Sequence, residues 1–298
     1  MHRDAILLEI SAPETRVARK LGSTFESCMK TGSQADNRFE NDAEKYAAYL
    51  QTPEGRLRLD LACANVQEYF PARQESNYMC ALDLGCGTGA AAVTLARLGF
   101  HVTLLDSSPA MLDIAQRAAL EASVGGQITP KYDDVSRLRN LFNLGSFDVI
   151  LCHNVLEYVD DPGAVLSDAA RLLRNSSAIL SVLVRSQAGD VLKAAIQTGD
   201  LAAADDVLTS DWGQESLYGG KVRLFALDKM RKLMKAASLK VIAERGVRII
   251  ADYLPPKVSR SAEYDRILEL EGKLGRRAEF VASARYMQFL AHPLKDGV

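Results

Sequence analysis

Three glycines at alternating positions, Gly85, Gly87 and Gly89, follow a short apolar run that contains the carboxylate Asp83. Glycine suits a loop in which the backbone approaches a ligand closely, because it has no Cβ and adopts positive φ values. The residues before the loop predict a buried strand, and those after it predict a helix. A strand, a glycine loop and a helix form the first unit of a nucleotide-binding α/β sheet, whose ligand lies at the carboxyl end of the strand.

The carboxylate of Asp83 indicates which kind of nucleotide this loop would bind. Gly85, Gly87 and Ala90 satisfy the G-x-G-x-x-G/A pattern of dinucleotide-binding proteins, but a single match of that kind is a weak signal. A carboxylate at this place would repel the doubly negative pyrophosphate of a dinucleotide. It would attract the ammonium group of S-adenosylmethionine, which carries no phosphate. We therefore predict S-adenosylmethionine as the cofactor, with a dinucleotide and an unliganded glycine turn as the alternatives.

A second acid with a predicted role ends the next strand. The apolar run H-V-T-L-L-D over residues 101–106 predicts a strand that ends in Asp106. This acid lies about 20 residues beyond the glycine loop, where nucleotide sites place a carboxylate that binds the ribose hydroxyls. Because it ends a strand at the same sheet edge as the loop, we expect Asp106 to bind the ribose rather than to cap the following helix.

The run D-L-G-C-G-T-G, which begins at Asp83, resembles the first motif of class I S-adenosylmethionine-dependent methyltransferases. The resemblance implies that an acid after the third strand accepts the adenine amino group. Asp133 is preferred for this role, because Asp134 is equally well explained as a helix cap. The expected cofactor-binding residues are Asp83, Gly85, Cys86, Gly87, Gly89, Asp106, Ser107, Met111, Asp133, Asp134, Cys152 and His153.

Predicted strand–helix units follow one another in succession from residue 79 onwards, which indicates an α/β fold with right-handed crossovers. The nearly all-apolar run 147–152 is typical of a central parallel strand. Near the C-terminus, predicted strands over 241–250 and 280–290 would form the antiparallel final pair of the methyltransferase fold. The expected architecture is a doubly wound, Rossmann-like, mostly parallel seven-stranded sheet with a helical lid insertion.

The chain divides into five predicted segments. Residues 1–37 have weak periodicity and are expected to be an appendage, and residues 38–78 are expected to form helices over the site. The cofactor-binding core would occupy 79–185, and the C-terminal part of the sheet 226–298. Between 186 and 225 the hydrophobic period is lost, and we expect a lid there, because insertions at this sheet edge commonly contact substrate.

Composition excludes several classes of function. Apolar residues make up 48% of the 298 positions and charged residues 25%, as in ordinary globular proteins. A formal net charge of −2 provides no global positive field for nucleic acid or an anionic membrane. The five cysteines contain no C-x-x-C pair, and no apolar run approaches the length of a membrane span. We expect a cytoplasmic protein with free thiols, no metal and no membrane partner.

Three further stretches resemble the bacterial tRNA 5-carboxymethoxyuridine methyltransferases. They are N-R-F-E-N-D-A-E-K-Y with T-P-E-G-R-L-R behind it, C-H-N-V-L-E-Y-V-D-D-P, and G-V-R-I-I-A-D-Y-L with Y-D-R-I-L-E-L-E and A-R-Y-M-Q-F. The resemblance implies methyl transfer to a carboxylate on the modified wobble uridine of tRNA. The lid departs from the family, because it lacks a lysine-rich run that could neutralise tRNA phosphates. A small carboxylic acid is therefore the alternative acceptor.

The acceptor determines which side chains catalysis needs. A carboxylate is ionised at neutral pH and needs a cationic clamp rather than a base, and arginine offers it a planar fork. The candidates for this clamp, on the last strand pair, are Arg248, Arg285 and Tyr286. The alternative is that these arginines pair structurally with Asp252 or Glu271.

A hydroxyl or ring-nitrogen acceptor would instead require a general base, and His153, after the fourth strand, is best placed for that role. Three hypotheses for the function follow. The first is carboxyl methylation, with tRNA implied by the resemblance. The second is methylation of a small-molecule metabolite, and the third is a nucleotide-binding module without catalysis.

Overall fold

The computed structural model describes residues 38–70, 78–215, 217 and 219–294. The predicted appendage over residues 1–37 lies outside the described residues. The helices are α1 (Arg38–Asn41), α2 (Ala43–Gln51), α3 (Pro53–Gln67), α4 (Ala90–Arg97), α5 (Pro109–Glu121), α6 (Leu138–Leu141), α7 (Pro162–Leu172), α8 (Gln187–Leu192), α9 (Leu201–Thr209), α10 (Leu227–Ala236), α11 (Tyr264–Gly275) and α12 (Ala278–Val281). The strands are β1 (Cys80–Leu84), β2 (His101–Asp106), β3 (Ile128–Tyr132), β4 (Val149–His153), β5 (Ile179–Arg185), β6 (Trp212–Gln214), β7 (Lys221–Arg223), β8 (Leu239–Val247) and β9 (Tyr286–Pro293).

Seven of these strands form one sheet in the order β3-β2-β1-β4-β5-β9-β8. Neighbouring strands from β3 to β5 are parallel, whereas β9 runs antiparallel to both β5 and β8. The strand order reverses between β1 and β4, and a crevice opens at such a point outside the carboxyl ends of the strands. The predicted doubly wound, mostly parallel seven-stranded sheet is confirmed, together with its antiparallel final pair.

Each face of the sheet has its own apolar core, because successive strand residues point to opposite faces. In β1, Leu82 and Leu84 belong to the core that α7 and α10 cover, whereas Ala81 belongs to the core under α4 and α5. In β4, Ile150 and Val149 divide between the two cores in the same way. All of these residues are fully buried, which explains the all-apolar run that the sequence shows there.

The N-terminal helices α2 and α3 meet at a tight corner. Proline and glycine commonly interrupt a helix, but Pro53 and Gly55 lie in the first turn of α3. The Thr52 hydroxyl accepts a hydrogen bond from the Gly55 N–H (3.1 Å), and Pro53 takes the first helical position. A Cβ on Gly55 would lie 2.2 Å from the Tyr49 carbonyl oxygen, so the corner requires glycine. The expected break is therefore a helix start.

The last strand begins later than predicted. The sequence predicts a strand over 280–290, but β9 is Tyr286–Pro293 and the residues before it turn through α12. The Phe280 carbonyl accepts hydrogen bonds from the Ala284 N–H (3.1 Å) and the Ser283 hydroxyl (3.1 Å). Because local hydrogen bonds use these backbone groups, the segment turns here instead of pairing in the sheet, although its apolar residues resemble those of a strand.

The penultimate strand ends at Val247, before the predicted end at Ile250, because Arg248 has a left-handed backbone (φ 60°). The carboxylate of Glu271 on α11 then accepts hydrogen bonds from three successive backbone N–H groups, those of Ile249 (2.7 Å), Ile250 (2.9 Å) and Ala251 (2.7 Å). Burial raises the pKa of Glu271, and these N–H groups partly offset that rise. Glu271 thereby holds the turn that presents Arg248.

The chain between β5 and α10 forms an insertion, residues 186–225. Within it, α8 continues into the π-helical turn Lys193–Thr198, α9 follows, and β6 and β7 pair as an antiparallel ribbon. The sequence predicts helices and loops here but not the ribbon. In the described part of the chain, no helix is both long and apolar enough to cross a membrane.

Replacing Glu271 with alanine should destabilise the protein by at least about 3 kcal/mol, because three buried backbone N–H groups would lose a charged acceptor. The measurement is the free energy of unfolding in urea. Glu269→Ala, on the exposed side of the same helix, is the matched control and should change it by less than about 0.5 kcal/mol. Equal losses in the two variants would contradict the assigned role of Glu271.

Candidate active site

The glycine loop has the backbone that its composition predicts. Gly85, Gly87 and Gly89 have φ values of 57°, 51° and 72°, in the left-handed region that other residues avoid. The Gly87 N–H donates to the Asp106 carboxylate (2.8 Å), which joins the loop to the end of β2. A Cβ on Gly87 would lie 3.1 Å from the ring of Tyr46, so α2 covers the loop closely.

A cavity of about 460 Å³, counted out to its open mouth, lies where the loop meets the ends of β1 and β4. The loop side of its wall includes Asp83, Gly85, Cys86 and Thr88. The wall also includes Tyr46 and Arg58 from the N-terminal helices, together with His153 and Asn154 at the end of β4. The cavity therefore occupies the sheet edge that the strand order predicts for a ligand.

Asp83 supplies a buried negative charge to this cavity. The residue is 3% exposed, and its Oδ2 atom has no hydrogen-bond partner among the described residues. Burial, and then the nearby carboxylate of Asp106, raise the pKa of Asp83 to about 7. A desolvated carboxylate without a partner is costly, so a cationic ligand group at this place would relieve that cost.

Arg58, which the sequence analysis did not identify, supplies the opposite charge. It is 8% exposed, and it donates to the Asn154 side-chain oxygen (3.0 Å) and to the Tyr46 hydroxyl (2.8 Å). No carboxylate among the described residues pairs with it. A sequence signal existed, because Arg58 stands three and four residues before Leu61 and Ala62 on the buried face of α3.

Together, Asp83 and Arg58 fit the amino-acid end of S-adenosylmethionine. The unpartnered carboxylate of Asp83 can accept hydrogen bonds from an ammonium group, and the guanidinium of Arg58 can bind a carboxylate. Phosphate fits the Asp83 side of the cavity poorly, because the carboxylate would repel its negative charge. The donor set thus favours a zwitterion over a pyrophosphate.

Asp106 lies beside the loop, as predicted for a ribose-binding acid. Its two oxygens accept hydrogen bonds from the Gly87 N–H (2.8 Å) and the Ser108 N–H (2.9 Å). Burial raises the pKa of Asp106, and these N–H groups partly offset that rise. Glu40 of α1 accepts a hydrogen bond from the Ser108 hydroxyl (2.7 Å), so the N-terminal helices reach this edge too. Of the nearby predicted residues, Ser107 is exposed and Met111 is buried.

The acids after β3 are engaged locally. Asp134 accepts from the Ser136 N–H (2.8 Å) as a helix cap, which is the alternative that the sequence left open for it. Asp133 pairs with Arg137 (3.0 Å) and accepts from the Asp134 N–H (2.9 Å). The role of Asp133 toward adenine stays a prediction.

The predicted cysteines have different surroundings. Cys86 lines the cavity, and burial, then Asp106 and Asp83, raise the pKa of its thiol. It therefore fills space as a thiol rather than acting as a nucleophile. Cys152 packs in the apolar core with Leu82, so contact between this residue and a ligand would involve its backbone. No cluster of three metal-ligating side chains occurs among the described residues.

His153 is not suited to remove a proton. Its Nε2 atom is hydrogen-bonded to the Ser181 hydroxyl (2.8 Å), and the ring lines the cavity. Burial, and then the charge of Arg58, lower the pKa of His153 to about 3. The imidazole is therefore neutral and weakly basic. A general base works best with a pKa near the working pH, and His153 does not meet that requirement.

The structure brings the predicted acceptor residues together around one ring. Arg58, Arg248 and Arg285 lie 5.5, 5.8 and 5.8 Å from the centroid of Tyr286. Burial alone would raise the pKa of Tyr286, but the surrounding arginines lower it to about 8. Tyr286 thus links the cofactor end of the cavity to the last strand pair. We call Arg58, Arg185, Arg248 and Arg285 the arginine cluster.

Three arginines of this cluster already have carboxylate partners. Arg248 pairs with Asp252, the alternative that the sequence left open, and its Nη1 donates to the Tyr49 hydroxyl (3.0 Å). Glu271 pairs with neither arginine, because its oxygens bind backbone N–H groups. Arg285 pairs with Asp190.

Arg185, missed by the sequence analysis, joins β5 to the insertion. It pairs with Asp190 (3.2 Å) and with Glu215 (2.9 Å). Lys193, on the π-helical turn, is half-buried, and burial, then Arg185, lower its pKa. Among the described residues, no carboxylate pairs with this lysine. Lys193 lies in the segment without clear periodicity, so its spacing carried no signal, and Arg185 is the last residue of β5.

Asp83→Asn should stabilise the protein when no cofactor is bound, because it removes a buried charge without changing the shape. Since the pKa of Asp83 is raised in the folded state, its buried charge lowers the stability of the fold. This destabilisation is complete above about pH 7 and shrinks as the pH falls toward 4. We expect a gain of about 1–3 kcal/mol at pH 8 and a smaller gain at pH 5, measured by urea unfolding.

The control for this variant is Asp113→Asn, at an exposed position on α5, which should change the free energy of unfolding by less than about 0.5 kcal/mol at both pH values. A loss of stability in Asp83→Asn at pH 8 would contradict the assignment of Asp83 as an uncompensated charge.

The chain is similar to known methyltransferases over most of its length. The family model for the methyltransferase domain matches residues 54–244, which is more than half of the chain. The tRNA 5-carboxymethoxyuridine methyltransferase of Escherichia coli K12 is 27% identical over 267 residues, which cover 86% of this chain and 96% of that protein. The ubiquinone biosynthesis O-methyltransferase of Xanthomonas oryzae is 36% identical over 126 residues, covering 42% of this chain and 52% of that one.

A solved structure has the same fold. It is that of a SAM-dependent methyltransferase and possible histamine N-methyltransferase from Thermotoga maritima, with a TM-score of 0.57 and 15% identity. The match covers 86% of this chain and 98% of that chain. The cavity, with one buried acidic and one buried basic side chain in its wall, lies at the sheet edge where this fold binds its ligand. The chain therefore belongs to the methyltransferase domain family and is an S-adenosylmethionine-dependent methyltransferase.

Proposed function

We propose that this methyltransferase transfers the methyl group of S-adenosylmethionine to a carboxylate oxygen of its acceptor. The observation that carries the proposal is the arginine cluster around Tyr286, next to a cavity whose histidine is neutral and weakly basic. A carboxylate needs positioning by cations and no base, whereas a hydroxyl or a protonated ring nitrogen needs a base.

The cofactor end of the site uses four groups. When bound, S-adenosylmethionine supplies an electrophilic methyl group. Asp83 accepts the ammonium hydrogen bonds, and Arg58 binds the carboxylate of the same amino-acid group. Asp106 accepts from the ribose hydroxyls, and Asp133 from the adenine amino group. In this arrangement the two buried charges of the cavity both find partners.

The acceptor end lies toward the last strand pair and the insertion. Arg248 and Arg285 keep their internal carboxylates and use their remaining N–H donors, while Tyr286 donates its hydroxyl proton to the acceptor carboxylate. Lys193 adds a cation that no described carboxylate neutralises. Residues 186–225 would act as a lid, and the ion pair of Arg185 with Glu215 connects the end of β5 to the residue after β6. Excluding water in this way strengthens each of these interactions.

The modified wobble uridine of tRNA is the first candidate for the acceptor, because the Escherichia coli relative of that name matches this chain over nearly its full length. The second candidate is a small carboxylic acid. The charge of the insertion favours it, because α9 and the segment after it carry Asp205, Asp206 and Asp211 against the basic Lys221 and Arg223 of the ribbon. Acidic side chains near the entrance would weaken binding to phosphates.

The test is transfer of a labelled methyl group from S-adenosylmethionine to tRNA that carries 5-carboxymethoxyuridine, to the same tRNA without that modification, and to a panel of small carboxylic acids. A methyl ester loses its label as methanol in mild base, whereas an ether or methylamine does not. We expect base-labile label in one of the carboxylate substrates. Base-stable label, found on hydroxyl or amine acceptors, would overturn the carboxyl assignment.

Cofactor binding should depend on pH through Asp83. Its pKa of about 7 in the free protein means that the carboxyl must lose a proton before it binds an ammonium group. We expect the affinity for S-adenosylhomocysteine, measured by calorimetry, to be about tenfold weaker at pH 6 than at pH 8. Asp83→Asn should weaken binding and remove this dependence, whereas Asp113→Asn should retain it. An affinity independent of pH in the unaltered protein would refute this role.

A further inference from the structure

A chain of buried polar side chains lies beneath the cavity and connects three strands with α3. We call it the relay and define it as Asn65, Gln288, Ser181 and His153. Ser181 and Gln288 are 0% exposed and Asn65 is 5% exposed. Polar groups at such depth require hydrogen-bond partners, so each proton of the relay has a definite place.

The donor and acceptor at each step of the relay can be assigned from one end, where a backbone carbonyl can only accept a hydrogen bond. The Ala62 carbonyl oxygen lies 3.0 Å from Gln288 Nε2, which must therefore be the amide nitrogen. Asn65 agrees with this orientation, because its Nδ2 donates to Gln288 Oε1 (2.8 Å). The second proton of Gln288 Nε2 then points to the Ser181 hydroxyl oxygen (2.9 Å).

The hydroxyl proton of Ser181 has one acceptor within reach among the described residues. Its oxygen already accepts from Gln288, and the remaining neighbour is His153 Nε2 at 2.8 Å. A buried hydroxyl that left its proton unused would cost about 1–3 kcal/mol. Ser181 therefore donates to His153, and Nε2 uses its lone pair to accept.

The tautomer of His153 follows from this bond. A neutral imidazole has one protonated and one unprotonated nitrogen, so a proton-accepting Nε2 places the hydrogen on Nδ1. The other ring nitrogen, Nδ1, has no protein partner among the described residues, and the ring lines the cavity. Burial, with the nearby charge of Arg58, keeps the ring neutral, so the second nitrogen is not protonated as well.

We propose that the relay fixes His153 as the Nδ1–H tautomer, so that the cavity meets a hydrogen-bond donor where methylation of a hydroxyl or a protonated ring nitrogen would need a base. His153 then orients an oxygen of the bound ligand and has no free lone pair to take its proton. His153 is thereby removed as a base, and a carboxylate acceptor, which is already ionised, needs none. This inference rests on the proposed function for the identity of the acceptor, but the tautomer itself does not depend on it.

The experiment is two-bond ¹H–¹⁵N correlation NMR of the full-length, ¹⁵N-labelled protein, with and without S-adenosylhomocysteine. The chain has four histidines, and His153→Gln identifies the relevant signals by their loss. We expect the correlation pattern of a neutral ring with the proton on Nδ1. A ring with the proton on Nε2, or a doubly protonated ring near neutral pH, would overturn the inference.

Two variants test whether the relay sets the tautomer. Ser181→Ala removes the donor, and His153 should lose its single-tautomer pattern. Gln288→Glu, measured at pH 9, provides a carboxylate that only accepts, so Ser181 should donate to it and the proton of His153 should move to Nε2. Ser167→Ala, whose hydroxyl bonds a carbonyl within α7, is the control and should leave the pattern unchanged.

The outcomes separate this inference from the proposed function. If His153 has the proton on Nδ1 and both relay variants change it, the relay stands even where the methyl-ester assay is negative. If both relay variants keep the unaltered pattern, the relay is refuted even where methyl esters form.

Discussion

Two buried opposite charges that do not neutralise each other control the properties of this site. Asp83 and Arg58 each face the same cavity without an ionic partner among the described residues. Isolated charges in a low-dielectric interior are costly, so the protein folds with an electrostatic deficit that a zwitterion corrects. In the proposed function this deficit would provide selectivity, because a ligand that lacks either the ammonium or the carboxylate group leaves one of the two charges uncompensated.

Hydrogen bonds between buried carboxylates and the backbone hold the elements around these charges. Glu271 binds three backbone N–H groups at the turn of Arg248, and Asp106 binds the loop backbone at two points. In the arginine cluster, three members have internal carboxylates and Arg58 has none. The cluster is therefore close to neutral within itself, and its residual positive charge lies at the cofactor end of the cavity. These bonds hold the frame of the site in place.

Much of the fold and half of the site were predictable from local patterns. The glycine loop, the acid at Asp106 and the apolar central strands have signatures within a short stretch of chain, because strand period and glycine dihedrals are local properties. The boundaries were less predictable. Local hydrogen bonds at Phe280 and a left-handed Arg248 shorten strands whose apolar pattern continues, and Thr52 makes a helix start where Pro and Gly indicate a break.

The sequence by itself determined the sheet, the glycine loop and the place of the carboxylate beside that loop, since all three depend on neighbouring residues. Only the tertiary structure decided which charges are paired. Arg58 and Arg185 look alike in the sequence, but Arg58 faces an amide and a phenol, whereas Arg185 pairs with Glu215 from the insertion. The tautomer of His153 also depends on the tertiary structure, because it is set by hydrogen bonds with Ser181 and Gln288 from other strands. Which charges are compensated depends on contacts between segments that are distant in the sequence.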